Sequence, residues 1–353
     1  TTLSAGNAMR FDEALRGMGI RLDTEFEELS REVPQSAEHQ RTWTPATRAL
    51  FDACGKLGLE PDPTPKMIDL ARCRRCGRCV LGCPNGAKWD SRRFLDDAVR
   101  SGAVLETRSR VIRVVMKDGK AVGVLVRKGI RTTFVPADLV VLAAGGLGTP
   151  VILERSGIRC ESRLFVDPVL CVVAPWTDSR QRREIPMPFV VKRPGYIISP
   201  YFDFVSYMFD MKWHRPADGM LGLMIKLADA ESGSVSRRPG EKINKSLTEA
   251  DRARLAEAVE LCTRIFEELG VDRRTVFLGT LNAGHPGGTF PLTPADAENL
   301  HPGALPPNLY VADASLLPAS LGGPPILTIM ALARRIGRIC AGRPKSDDGQ
   351  ASA

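Results

Sequence analysis

Residues 137–158 read ADLVVLAAGGLGTPVILERSGI. A run of aliphatic residues leads straight into the cluster Gly145-Gly146-Leu147-Gly148, and a helix-like segment follows at once. A buried strand that ends in glycines and turns into a helix is the local pattern of a dinucleotide-type sheet, where small residues let the backbone approach a phosphate. A glycine cluster alone also suits an ordinary tight turn, so the reading rests on what surrounds it.

Upstream, residues 101–129 (SGAVLETRSRVIRVVMKDGKAVGVLVRKG) read as strands, with Asp118-Gly119 as the turn between two β-branched runs. Downstream, residues 160–245 are rich in proline and aromatic residues and carry short strand-like runs such as FVVKRPGYIIS at 189–199. They predict an antiparallel sheet forming one wall of a cleft. Residues 246–270 (SLTEADRARLAEAVELCTRIFEELG) predict a helix, with Ser246 and Glu249 as a capping box and Gly270 just past the end. Leu255, Val259, Cys262, Phe266 and Leu269 share one face of it and are expected in the core. Near the C-terminus, residues 308–340 predict a short strand ending at Asp313, a glycine-proline loop, and a helix entered through Pro325. The tail after Arg343 is polar and expected to be loose.

The 353 residues suffice for a sizeable core in two lobes. No apolar run is long enough to span a bilayer, and no charged-then-apolar leader opens the chain, so the default compartment is the cytoplasm. The net charge is +8, yet the basic residues are spread out, without the basic stripe and interleaved aromatics of a nucleic-acid interface. Nine cysteines, an odd number and mostly isolated, favour a reducing compartment over a disulfide framework.

Taken in order, these segments resemble the glucose–methanol–choline (GMC) oxidoreductases, a family dependent on FAD, over nearly the whole chain. VVLAAGGLGTPVILERSGI resembles the family's strand–glycine–helix segment beside the flavin nucleotide, and HPGGT at 285–289 resembles its first catalytic-histidine motif. LYVADASLLPASLGGPPILTIMALARRI resembles its C-terminal flavin-contacting segment, and the opening TTLSAGNAMR is similar to the stretch along the flavin.

The resemblance implies an α/β (α+β) fold in which a discontinuous, Rossmann-like FAD-binding domain joins an antiparallel-sheet substrate domain. The expected divisions are 1–159, with an inserted cysteine-rich loop at about 70–90; 160–284 for the substrate domain; 285–343 for the C-terminal flavin and catalytic segment; and a tail at 344–353. Thr1, Thr2, Gly6 and Asn7 are expected along the flavin and its phosphates. Val111 is expected to contact the adenine side through its backbone, and Gly145, Gly146 and Gly148 to lie near the nucleotide. Asp313 and Ala314 are expected at the ribityl–pyrophosphate region, with Pro325 and Ile326 beside the isoalloxazine ring.

Two departures stand out. The family's opening strand and G-x-G-x-x-G turn have no counterpart here, which predicts a further segment or a second chain that supplies them. Where the family carries a His or Asn facing substrate, this chain has Pro324. The nearest polar replacements in sequence are Asn282 and Thr289.

Cys73, Cys76, Cys79 and Cys83, followed by Pro84, have the spacing C-x2-C-x2-C-x3-C-P. That is a ferredoxin spacing and predicts an iron–sulfur cluster, 4Fe-4S or 3Fe-4S. Zinc and unligated thiols are the alternatives. In two-cluster ferredoxins the fourth cysteine serves another cluster, so Cys54, Cys160 or Cys171 is an alternative fourth ligand. Arg72, Arg74, Arg75 and Arg78 surround the run; nearby positive charge raises a cluster's potential, and the same residues suit a solvated loop or an acidic redox partner.

The resulting expectation is an FAD-dependent dehydrogenase acting on the CH–OH group of a small-molecule alcohol. His285 takes the hydroxyl proton, and electrons leave through the cluster to a ferredoxin-like protein or a quinone. The rival reading is an electron-relay or scaffold subunit without alcohol chemistry. His39, His214 and His301 have no motif around them and are expected at the surface or core edge.

Overall fold

The computed structural model describes residues 4–213, 215–235 and 243–342. Helices α1 (Glu13–Gly17), α2 (Asp23–Glu32) and α3 (Pro45–Lys56) lead to the short strand β1 (Asp62–Pro63), the cysteine-rich loop and helix α4 (Arg92–Arg100). Strands β2 (Arg110–Lys117), β3 (Lys120–Lys128) and β4 (Arg131–Pro136) form an antiparallel meander. Asp118 and Gly119 both take left-handed backbone (φ 49° and 73°), which a two-residue hairpin turn between twisted strands requires.

The quoted stretch folds as strand β5 (Val140–Leu142) and helix α5 (Gly145–Arg155). It is less buried than its composition implies. Val140 and Leu142 face the core while Val141 is 43% exposed, because β5, paired with β14, is covered on one face. Gly145 has φ 78°, and a Cβ on Gly146 would lie 2.0 Å from Pro286 O, so the start of α5 sits against the HPGG loop.

Strands β6 (Pro168–Pro175), β7 (Phe189–Arg193) and β8 (Tyr196–Pro200), short helix α6 (Phe204–Phe209) and strand β9 (Met220–Leu227) follow. The sheet runs β1-β7-β8-β9-β6, all antiparallel, with β12 (Phe277–Leu278) and β13 (Asn282–Ala283) both on the outer side of β6. β10 (Ser234–Val235) and β11 (Ile243–Asn244) form a small separate pair. Strand β9 is buried at every position. One face packs through Leu221, Leu223, Ile225 and Leu227 on α3 and α7 (Glu249–Glu268). The other packs through Met220 and Met224 on Met9, Phe11, Phe202 and Trp213.

Helix α7 follows the expected apolar face: Cys262 and Phe266 are buried, with Leu255, Val259 and Leu269 packed against the same core. Gly270 caps its end with φ 81°. The start differs from expectation. The capping box is Thr248 with Asp251, two residues later than Ser246 and Glu249. Asp251 also accepts from Ala230 N at the end of β9 and pairs with Arg254 at 2.8 Å, so tertiary contacts select this box. Strand β14 (Leu309–Val311) ends two residues before Asp313, which caps a 3-10 turn instead. Helix α8 (Ile326–Ala341) begins after Pro325 and is tied to α2, where Arg335 and Arg338 converge on the buried Glu25 carboxylate.

Candidate active site

The HPGGT loop is threaded between two segments by its backbone. His285 N donates to Val166 O, Gly287 exchanges hydrogen bonds with Phe165, and Gly288 N donates to Ala314 O. A Cβ at Gly287 would lie 2.5 Å from the Phe165 ring and 2.6 Å from Ala314 O, so the approach needs glycine there. The loop brings His285 to Asp167, with Nδ1 3.5 Å from Oδ2. Lys226 Nζ lies 2.8 Å from the same oxygen and also donates to Gly323 O; Ser320 Oγ donates to Asp167 Oδ1. Asp167 and Lys226 are each 1% exposed.

Burial and the neighbouring Lys226 charge together hold His285 below its ordinary value, against the opposing pull of Asp167. Burial opposes ionisation of Asp167, yet Lys226 and His285 outweigh it and keep the carboxyl below its usual range. Burial also lowers Lys226, opposed by Asp167 and Asp229. Asp167 and Lys226 were absent from the sequence expectation. A lysine inside the apolar strand MLGLMIKL was the signal that was available.

Several expected cofactor-facing residues meet at this junction. Asp313 Oδ2 accepts from Gly145 N at 2.9 Å and from Thr149 Oγ1, tying β14's end to α5's start beside Gly146 and Ala314. Val111 and Gly148 line a separate concavity of about 520 Å³ with Val141, Ala144 and Arg155, beyond the C-terminal end of β5. A concave site at a strand's end, with glycine backbone at the helix start, fits the nucleotide end of a dinucleotide. Pro325 is buried at the head of α8 with Ile326 half-buried beside it; the Gly323 backbone of the same loop lies flat on the Phe11 ring.

The N-terminal segment is less available. Thr1 and Thr2 lie outside the described residues, as does His214. Gly6 O accepts from Met67 N. Asn7 is buried with its amide used inside the protein, Oδ1 toward Lys66 Nζ and Nδ2 toward Met187 Sδ. Asn282 and Thr289 are not brought together. Asn282 borders an apolar concavity of about 490 Å³ flanking His285, with Val166, Pro168, Lys245 and Leu281. Thr289 is buried on the side facing Pro150 and Cys160, with its hydroxyl unpartnered. His39, expected near the surface, is fully buried because Trp43 Nε1 donates to Nδ1 and Nε2 bonds Thr64 O. His301 is half-buried and bonds Pro306 O and Leu309 O through Nε2.

Cys73, Cys76, Cys79 and Cys83 line one pocket as free thiols. Gly77 fixes this loop on the 180–183 segment, since a Cβ there would lie 1.9 Å from Arg182 O. Arg72, Arg74, Arg75 and Arg78 are all exposed. The alternative fourth ligands fall away: Cys54 and Cys171 are fully buried in other cores, and Cys160 lies beyond the end of α5. The donor set suits a thiolate-bound metal, and all four cysteines line the one pocket. The pocket's free space is about 10 Å³, roughly one water. Among the described residues no three His, Cys, Asp or Glu side chains are grouped to hold a metal ion. The described residues therefore give no support for the expected cluster. Burial pushes Cys79 up to about 11 and raises Cys73. Burial also opposes ionisation of Cys83, but the N–H groups of Lys88, Asn85 and Ala87 outweigh it and lower that thiol. Among the described residues, no helix is long and apolar enough to cross a membrane.

A family model for GMC oxidoreductases matches residues 19–170. The chain is 26% identical over 340 residues to an uncharacterized protein of Methanocaldococcus jannaschii, covering 95% of this chain and 84% of that one. It is 39% identical over 119 residues to an uncharacterized GMC-type oxidoreductase of Mycobacterium tuberculosis, a match spanning 33% of this chain and only 19% of that relative's length. In fold it is similar to pyridoxine 4-oxidase from Mesorbium loti, with a TM-score of 0.65 and 21% identity over 85% of this chain and 70% of that one. Residues 19–170 thus match the GMC oxidoreductase model, and the chain is similar to a GMC-type relative over a third of its length and to an oxidase of that fold over most of it.

Proposed function

We propose that the protein oxidises the CH–OH group of a small-molecule alcohol with FAD, His285 acting as the base. The observation that carries this reading is the junction where the His285 loop, the Gly145-Gly146 helix start and Asp313 meet. FAD, when bound, supplies the acceptor for the hydride leaving the alcohol carbon. The residues expected to hold it are Val111, Gly145, Gly146 and Gly148 at the nucleotide end, Asp313 and Ala314 at the middle, and Pro325 and Ile326 at the ring. His285 takes the hydroxyl proton, a role suited to an imidazole held neutral below its ordinary value. The apolar lining beside the loop favours an alcohol with an apolar body, with Asn282 and Lys245 as the polar groups at its edge. Buried Pro324 offers no side-chain hydrogen bond to the substrate.

The proposal extends to a glycine-turn strand paired along the edge of β5 opposite β14, the strand that β5 pairs with among the described residues. The cysteine pocket holds no metal-ion ligand group among the described residues, so the proposal does not include it.

Replacing His285 by Ala tests the assignment. The FAD-loaded variant should keep its flavin absorbance, while reduction by alcohol slows on the order of 10²–10⁴-fold. Stopped-flow absorbance reads the rate. Reduction as fast as in the parent protein sinks the assignment and favours the electron-relay reading.

A further inference from the structure

We propose that Asp167 and Lys226 are a positioning pair for His285: the buried carboxylate holds the imidazole proton on Nδ1 and leaves Nε2 as the base. This rests on the alcohol-oxidation reading above and deepens it.

His285 Nδ1 is buried without a hydrogen-bond partner, and 3.5 Å away it faces Asp167 Oδ2, the oxygen that pairs with Lys226 Nζ. Two buried polar atoms facing each other across so short a gap are complementary only if one carries a proton. Asp167 is held ionised by Lys226, so the proton belongs on Nδ1. A small rotation of the ring closes the gap. Nε2 is then bare and free to take the hydroxyl proton as the carbon's hydride leaves with its electron pair to FAD. The imidazolium so formed faces Asp167, which stabilises its charge; Lys226 opposes it.

The pair is itself held in place. Asp167 sits in left-handed backbone, φ 49°, a conformation an aspartate needs help to keep. Asp229 supplies that help by accepting from Val166 N and Asp167 N, and Lys245 pairs with Asp229 at 2.7 Å. Lys226 reaches past Asp167 to Gly323 O, in the loop that carries Pro325 and Ile326. The base and the loop expected at the flavin ring are thus set by one ammonium group. The charged groups facing the base are Asp167 from the entry to β6 and Lys226 from β9, with Asp229 and Lys245 behind them.

A pair that only staples three loops together would leave the tautomer and pH profile of His285 unmoved. Nitrogen-15 NMR of histidine-labelled protein, with the signal assigned by its loss in His285→Ala, should show Nδ1–H at pH 8. A proton on Nε2 overturns the proposal, and this measurement needs no variant of the pair and no alcohol. In FAD-loaded protein, Asp167→Asn should slow flavin reduction by roughly 10²-fold or more and move the acid limb of its pH profile lower. Lys226→Met should move that limb higher. The double variant removes both charges and guards against an unpaired buried ion. Rates within twofold of the parent and an unmoved limb in all folded variants also overturn the pair. If no alcohol reduces the flavin, the activity reading fails while the NMR result still decides the pairing.

Discussion

His39 shows how burial alone changes what a histidine does. It accepts from Trp43 Nε1 through Nδ1 and bonds Thr64 O through Nε2, which only the neutral ring can do. Burial lowers it to about 4, outweighing the Thr64 hydrogen bond that would raise it. Its folded-state value lies below its unfolded value, so the unfolded chain binds the extra proton. Stability is therefore full above about pH 6.5 and is lost as pH falls toward 4. Urea unfolding at pH 7 and at pH 4.5 should show His39→Gln losing less stability on acidification than the parent, by about 2–3 kcal/mol. Equal losses in the two proteins would remove His39 as the cause. His285 is lowered as well, but its partner is a carboxylate; the contrast between the two rings could not be read from sequence, since no motif marks residue 39 and the partners of residue 285 lie on other segments.

Among the elements, helix α7 separates local from tertiary information. Its apolar face, its length and the glycine that ends it follow from spacing over a few residues, and all are present as expected. Its first residue does not follow, because Ser246…Glu249 and Thr248…Asp251 both satisfy the capping pattern. Asp251 decides the matter by bonding Ala230 N and Arg254 in addition to Thr248 N. Asp251→Ala should therefore cost about 2 kcal/mol, from a lost cap and a buried N–H left unpaired, whereas Glu249→Ala should change stability by under about 0.5 kcal/mol. Thermal unfolding of the two variants checks this, and equal shifts in Tm would contradict the observed cap. The β5–α5 unit behaves alike: the strand–glycine–helix order was legible, but the exposure of Val141 depends on what covers that face of the strand.

Over the described residues, one large core lies around β5, β14 and α8, and two others pack on the opposite faces of the antiparallel sheet. The cysteine loop lies apart in a small cluster with Ile68, Ala87 and Ile185. Its thiols are unequal, so metal-free protein treated with iodoacetamide at pH 8 should be alkylated at Cys83 before Cys73 and Cys79. Mass spectrometry of the time course checks the order; faster modification of Cys79 would contradict the burial seen here. Protection of all four thiols in anaerobically purified protein, together with iron and labile sulfide, would show that the pocket opens around a cluster. The sequence by itself determined the order of motifs, the Asp118-Gly119 hairpin, the apolar face of α7 and the histidine loop, because each is written in neighbouring residues whose spacing sets their geometry. Only the tertiary structure decided that Lys226 faces Asp167, that Asp167 faces His285, and that four cysteines with ferredoxin spacing line one pocket. These depend on how far apart distant segments come to rest, and differences of a few tenths of an ångström in the separation of buried polar atoms are set by packing rather than by any local pattern.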